Sequence, residues 1–357
     1  MKRFHHIDLI ECIAILFVVI YHSRLYEYDF INGSGSIEIL YYVRYFLRTI
    51  LSTCVPLFFF SNGYLLFSKN YSLKRHTQRT IKLSLVPLWS LALMPIYQVL
   101  NGDGISIKAV IHNVLDLNIE WGVNSFWYIG ALVCIYLLFP ALKSLYDTDI
   151  NSFQCLTCAL FVVTFGIKLI NQLLMFLNIA VGLPLSSINF PLFNMYIPFR
   201  QYGYSFVYFC LGGIALYCEQ RINGFQNKNK YAVGILIASC VTLFLIGIFY
   251  SRYVLGSVWD VVWEGYDSIP TLANVIAIYA LSLNVEKTNM ILKEVSKNTL
   301  GIYVFHGLII RLTRPFLLTV GICQNYIANI VYGVLIIIAC LALIKAVQKM
   351  PLVKNLI

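Results

Sequence analysis

Charge is scarce in this chain. Of its 357 residues only 12% are Asp, Glu, Lys or Arg, about half the share usual in a soluble globular domain. Acidic residues are the rarer sign, 16 against 26 basic. A single water-soluble core is excluded, because 59% of the residues are hydrophobic and they gather in long runs. Those runs reach the ~20 residues a helix needs to cross a ~30 Å hydrocarbon core. Other absences narrow the class further. The ten cysteines include one CxxC pair, Cys155 and Cys158, and no Cys/His spacing of a metal site, so no zinc module is expected. Cys155 and Cys158 stand in an apolar run without partner ligands, where cysteine behaves as a small hydrophobe. No low-complexity linker and no internal repeat separates one part from another. No small-residue cleavage site follows the first apolar run, so that run is expected to stay as a helix.

What is present is a polytopic all-α membrane pattern with a mean hydropathy of +0.76. About ten spans can be drawn, at 8–26, 39–67, 81–100, 126–143, 154–177, 203–219, 232–250, 269–285, 298–318 and 325–347. The stretches 105–118 and 183–198 are too polar or too rich in proline to cross, and are expected to be re-entrant or interfacial. The net charge of +10 does not point to nucleic acid, because the basic residues cluster in alternate loops. Lys2 and Arg3, then Lys69 to Arg79, Arg221 to Lys230, Lys287 to Lys297 and the tail share one side. Glu27, Asp29, Glu38, Asp103, Asp116, Glu120, Asp260, Glu264 and Asp267 fall on the other. By the positive-inside rule both termini are cytoplasmic. The whole chain, 1–357, reads as one membrane domain with no appended soluble part.

Ionisable groups inside apolar spans are costly and mark functional candidates. Glu11 and His22 lie in the first span, eleven residues apart. That spacing turns an α-helix by about 1100°, close to three full turns, so both side chains share one face roughly 16 Å apart. His22 falls toward the outer end, where a neutral imidazole can accept a hydroxyl proton. A histidine hydrogen-bonded near a helix end is an equally ordinary explanation. Glu11, near the cytoplasmic end, also fits an interfacial carboxylate. Arg75, Arg79 and Lys82 repeat on one helical face after the second span. They suit phosphate oxygens, although plain positive-inside charge or anionic lipid explains them too. Arg44 and Arg48, i and i+4 in the outer half of the second span, run against the charge rule and point to a cavity or an anionic substrate. Arg311 and Arg314 are similar.

Three further blocks stand out. Val55-Pro56-Leu57-Phe58-Phe59-Phe60-Ser61-Asn62-Gly63-Tyr64 ends the second span, and taken alone reads as a kink with close helix packing. Asn124-Ser125-Phe126-Trp127-Tyr128 opens the fourth, which continues to Tyr136 and Pro140. Gly301-Ile302-Tyr303-Val304-Phe305-His306 brings a second imidazole into the ninth.

In this order, and over essentially the whole chain, the blocks resemble acyltransferase family 3, bacterial integral-membrane O-acyltransferases of surface polysaccharides. The first helix is similar to the family's opening element, a basic residue and a histidine separated by ten positions, with His22 at the histidine. Glu11 departs from it by placing a carboxylate where a cation is usual, and Asn62 stands where serine is usual. The resemblance implies a cytoplasmic acyl-CoA, acetyl-CoA foremost, with its phosphates near Arg75, Arg79 and Lys82. It implies no metal and no nucleic acid. The acceptor would be a hydroxyl of a polysaccharide or lipid-linked sugar at the outer face of the bacterial inner (cytoplasmic) membrane. The catalytic assignment falls on His22, as general base or as transient acyl carrier, with Glu11 the open question beside it. Arg44, Arg48, Asn62, Trp127, Tyr128 and His306 are candidates to line the acceptor or thioester path. Two alternatives stand: a polysaccharide polymerase or lipid-linked-sugar flippase, and an inactive family member serving as a binding subunit. A polymerase usually carries a large extracytoplasmic loop, and a transporter more often carries paired broken helices or repeats.

Overall fold

The computed structural model describes residues 3–25, 28–32, 38–90, 120–121, 124–125, 127–182, 202–319 and 325–349, with positions 99, 106 and 108 between them. Their regular secondary structure is helical apart from one two-residue antiparallel ladder, Glu120–Trp121 (β1) with Asn124–Ser125 (β2). The helices are α1 (His5–Ser23), α2 (Glu38–Arg48), α3 (Cys54–Phe67), α4 (Leu73–Ser90), α5 (Trp127–Thr148), α6 (Ile150–Phe161) and α7 (Ile167–Val181). They continue with α8 (Gly203–Asn223), α9 (Lys228–Phe249), α10 (Ile269–Ser282), α11 (Met290–Lys297), α12 (Thr299–Thr319) and α13 (Tyr326–Val347). A 3₁₀ turn, Thr49–Thr53, joins α2 to α3, and a π turn, Val162–Gly166, joins α6 to α7.

Among the described residues seven segments are long and apolar enough to cross a bilayer: His5–Ser23, Ile39–Phe67, Trp127–Thr148, Ile150–Val181, Lys228–Leu255, Thr299–Thr319 and Tyr326–Val347. The expected count of about ten is not confirmed by these residues. The expected sixth span is α8, a 21-residue helix whose tyrosines, glycines and terminal polar residues dilute its apolar character. The expected eighth is α10, at 14 residues too short to cross alone. Of the expected third, α4 supplies the first half, and 91–98 lies outside the described residues. The two expected re-entrant stretches, 105–118 and 183–198, lie almost wholly outside them as well.

The chain divides into two compact units. The first comprises residues 1–14, 27–70 and 141–287; the second comprises 15–26, 71–140 and 288–357. Helix α1 contributes to both, and so does α5, whose division falls immediately after Pro140.

In the first unit 83% of the most apolar 18-residue window of Ile39–Phe67 is buried, against 28% of that of Lys228–Leu255. The former is a central span; the latter shows Val233, Ile235, Ile237, Val241 and Leu245 outward, as a lipid-facing helix must. Glycine explains how α3 becomes central. A Cβ on Gly63 would stand 1.9 Å from the Phe209 carbonyl oxygen, and one on Gly212 would stand 2.2 Å from that of Phe60. Only residues without a side chain let α3 and α8 approach so closely, the usual device for packing helices in lipid. The Ser61-Asn62-Gly63-Tyr64 block is thus a helix-packing surface, and the Asn62 amide donates within its own helix to the Phe58 carbonyl at 2.9 Å.

In the second unit α12 and α13 pack together, and the end of α1 is fastened to α13. Helix α4 shows a buried face of His76, Thr80 and Leu83. The His76 Nε2–H donates to the Tyr136 carbonyl at 2.7 Å, and its ring lies against Tyr136 and Phe139, so this imidazole clamps α4 to α5.

Candidate active site

His22 occupies the last turn of α1. The helix stops one residue later because Arg24 adopts φ 46°, a left-handed backbone that cannot continue the helical ladder. The freed groups are collected by one buried side chain. Asn329 accepts from Ser23 Oγ at 2.7 Å and from the Leu25 amide at 3.1 Å, and donates to the Ile20 carbonyl at 3.1 Å. Arg314 Nη2 adds a bond to the Arg24 carbonyl at 3.3 Å. Gly333 lets α13 come close, since a Cβ there would meet Ile20 Cγ1 at 3.1 Å. The backbone that carries His22 is therefore fixed on several sides.

Facing it is His306 of α12, with ring centroids 5.3 Å apart and planes inclined by 50°. His306 is fully buried, while His22 is partly exposed. The His306 Nδ1 lies 2.7 Å from the Tyr303 carbonyl oxygen and 3.2 Å from that of Ile302. A carbonyl oxygen can only accept, so Nδ1 carries the proton and the neutral ring presents a lone pair at Nε2. That Nε2 is buried and has no hydrogen-bond partner among the described residues. Leaving a buried acceptor unmade costs ~1–3 kcal/mol, which is the signature of a group held ready for something outside the fold.

Aromatic rings border this pair. Tyr303 lies 5.8 Å from His306, Tyr128 lies 5.4 Å from Tyr303, and Trp127 lies 6.5 Å from Tyr128. The structure thus brings together His22, His306, Tyr128 and Trp127, all within the second unit. Arg75, Arg79 and Lys82 belong to that unit too, as an exposed stripe on α4 beside the face anchored by His76.

The remaining sequence candidates lie in the first unit. Glu11 is half-buried on the first part of α1. Arg44 is buried, and Arg48 is completely so. Arg48 meets Asp260 at 3.3 Å, and its guanidinium lies 3.9 Å from the Tyr28 ring centre. Asn62 is engaged within α3 as described above.

One ionisable cluster escaped the sequence reading. Tyr64 donates to the Glu219 carboxylate, His6 Nε2 lies 3.6 Å from the same oxygen, and the rings of Phe4, His6, Tyr64 and Tyr279 meet edge to face or tilted. The signal available was weak: His6 precedes the apolar run of α1 and Glu219 ends α8. Nothing in either segment announces the other.

Compared with protein families, residues 4–346 match the acyltransferase domain of acyltransferase family 3. Comparisons with curated proteins and with solved structures gave no significant match. Because the matched region covers nearly the whole chain, this multi-pass membrane protein belongs to acyltransferase family 3.

Proposed function

We propose that this acyltransferase moves an acetyl group from cytoplasmic acetyl-CoA to a hydroxyl of a surface-polysaccharide or lipid-linked sugar. The work takes place in the bacterial inner membrane, with both termini on the cytoplasmic side, as the basic loops favour. The observation that carries the reading is the His22–His306 pair: two imidazoles 5.3 Å apart, one with its tautomer fixed and its Nε2 left bare.

Acyl transfer from a thioester needs a base for the incoming hydroxyl and a proton for the departing thiolate. His22, at the fixed end of α1, takes the hydroxyl proton as the oxygen attacks the thioester carbonyl. A C–O bond forms, the C–S bond breaks, and the imidazolium returns the proton to the CoA sulfur. His306, unable to turn because Nδ1 is tied to Tyr303, offers Nε2 as a fixed acceptor that orients the hydroxyl or the charged His22 beside it. Tyr128 and Trp127 line the approach. Arg75, Arg79 and Lys82 form an accessible cationic stripe suited to the donor's phosphates. Glu11 is not the basic partner that the family pattern places there, so donor binding in this chain leans on α4. No step calls for a metal.

The test compares surface polysaccharide from cells with the gene, without it, and with His22→Ala, using NMR to follow alkali-labile O-acetyl signals. Acetylation present in the first and lost in the other two is the expected result. Equal acetylation in all three, with the variant expressed in the membrane, overturns the proposal.

A further inference from the structure

The first unit carries a groove that acyl transfer does not use. It lies among α8, α9 and α10, with Arg221 and Lys228 at one end and Ala232, Ile235, Ala277 and Ala280 along it. Its floor exists because of small side chains: Ala232, Ala277 and Ala280 are nearly or fully buried, and each leaves room that Leu or Ile would fill. From Lys228 to Ile235 the groove follows α9 for about 10 Å, at ~1.5 Å per residue. Its rim is the exposed Phe225 and Tyr231, whose rings lie 5.7 Å apart next to the polar turn at 223–227, an arrangement typical of the membrane interface.

Charge and shape change together along this feature. Arg221 and Lys228 are the two cations among its lining residues and no carboxylate joins them, while the surface inside the groove is almost wholly apolar. Lys228 donates to Asn223 Oδ1, which holds its ammonium at the groove mouth. Arg221 is exposed in the last turn of α8. A soluble phosphate compound would match only the polar end, and a neutral lipid only the apolar part. We infer that this groove binds one anionic glycerophospholipid, its phosphate between Arg221 and Lys228 and an acyl chain along the alanine floor.

The test uses the full-length protein purified in mild detergent and native mass spectrometry. Phosphatidylglycerol and phosphatidylcholine with identical chains are added in equal amounts. Phosphatidylglycerol is expected to be retained about tenfold better, in line with the modest energy that each basic residue contributes near an anionic lipid. Arg221→Ala with Lys228→Ala should abolish the preference. Ile235→Trp, at an exposed position that can fill the groove without disturbing the core, should lower retention with the cations intact. Lys287→Ala with Lys297→Ala removes the same charge elsewhere and should leave retention unchanged. The inference is overturned if both lipids are retained equally, if the control pair lowers retention as much as the groove pair, or if millimolar inorganic phosphate displaces the lipid.

Discussion

Two buried histidines, His6 in the first unit and His306 in the second, show how differently the two parts of this chain treat an ionisable group. His6 Nε2, like that of His306, makes no hydrogen bond among the described residues, but it faces a carboxylate: Glu219 lies 3.6 Å away, and Tyr64 donates to the same carboxylate. His306 has both Nδ1 contacts within its own helix, and its Nε2 meets no partner among the described residues, only a second imidazole nearby. The arginines repeat the contrast. Arg48, fully buried in the first unit, has Asp260 and the Tyr28 ring as companions, whereas Arg75 and Arg79 of the second are exposed on α4. A group neutralised by its own fold contributes to stability. A buried lone pair left bare, or a cation turned to solvent, is available to a ligand. Under the proposed function the first unit supports and the second unit reacts.

Exchanging the two kinds of group gives the sharpest test and the largest effect. His306→Gln keeps a polar side chain of similar length but loses the imidazole, so acyl transfer should fall by about 10²–10⁴-fold, the usual contribution of a proton-transfer group. Its thermal midpoint in detergent should stay near that of the parent. Arg48→Ala should do the reverse. Removing one partner of a buried pair costs ~3–5 kcal/mol; Asp260 is 30% exposed, so about 1–3 kcal/mol is the appropriate expectation here. The thermal midpoint should drop while the rate per folded molecule stays close to normal. If Arg48→Ala removed activity from protein of unchanged stability, the division of labour would be wrong.

Asn329→Ala is the intermediate case, because it breaks a structural device that holds a reacting group. It strands the Leu25 amide in a buried place and leaves Ser23 Oγ and the Ile20 carbonyl with only their mutual bond at 3.0 Å. Each unmade bond costs ~1–3 kcal/mol, less whatever local relaxation recovers. Stability and activity should therefore fall together, the second because the turn carrying His22 is no longer pinned. Asn329→Asp keeps an acceptor for Ser23 and Leu25 but cannot donate to Ile20, and should lie between parent and Ala. Thermal unfolding alongside acetyl transfer separates these outcomes; a stable Asn329→Ala protein with full activity would show that His22 needs no such support.

How much of this was legible in the sequence depends on the range of the interaction. Helices are written locally, so α1, α5, α9, α12 and α13 follow from apolar runs alone. Helix α8 was legible as a long apolar helix but not as one packed against α3, because that close approach depends on Gly63 and Gly212, 149 positions apart and without any shared pattern. The ordinary explanation of the Asn62 block, close helix packing, is the one the structure bears out. His22 and His306 could each be singled out as imidazoles in lipid; that they meet could not, since 284 residues separate them. The positive charge at Arg48 was noticed for breaking the topology rule, yet its counter-ion Asp260 could not be assigned from composition. Likewise His76 looked like one more residue of a basic loop, and only the fold shows it fastening α4 through the Tyr136 carbonyl.

The smallest effect is expected where the first unit touches water. Asp149 caps α6, accepting from the Asn151 and Ser152 amides at 3.1 Å and from the Ser152 hydroxyl. That hydroxyl bond, then the amides, hold its carboxyl below the ordinary carboxylate range. The sign follows directly: a depressed folded-state value stabilises the charged form, so the contribution is complete above the unfolded value of ~3.9 and fades as pH falls through the folded one. Asp149→Ala should lower the thermal midpoint slightly at pH 7, and the gap between parent and variant should narrow as the pH approaches 3. Asn, which also caps helices, should recover much of the loss at neutral pH while removing the pH dependence. Acyl transfer per folded molecule should be unaffected throughout. A pH-independent gap would mean that the cap acts through its shape alone, and a loss of activity would place a reacting role in the unit argued here to be support.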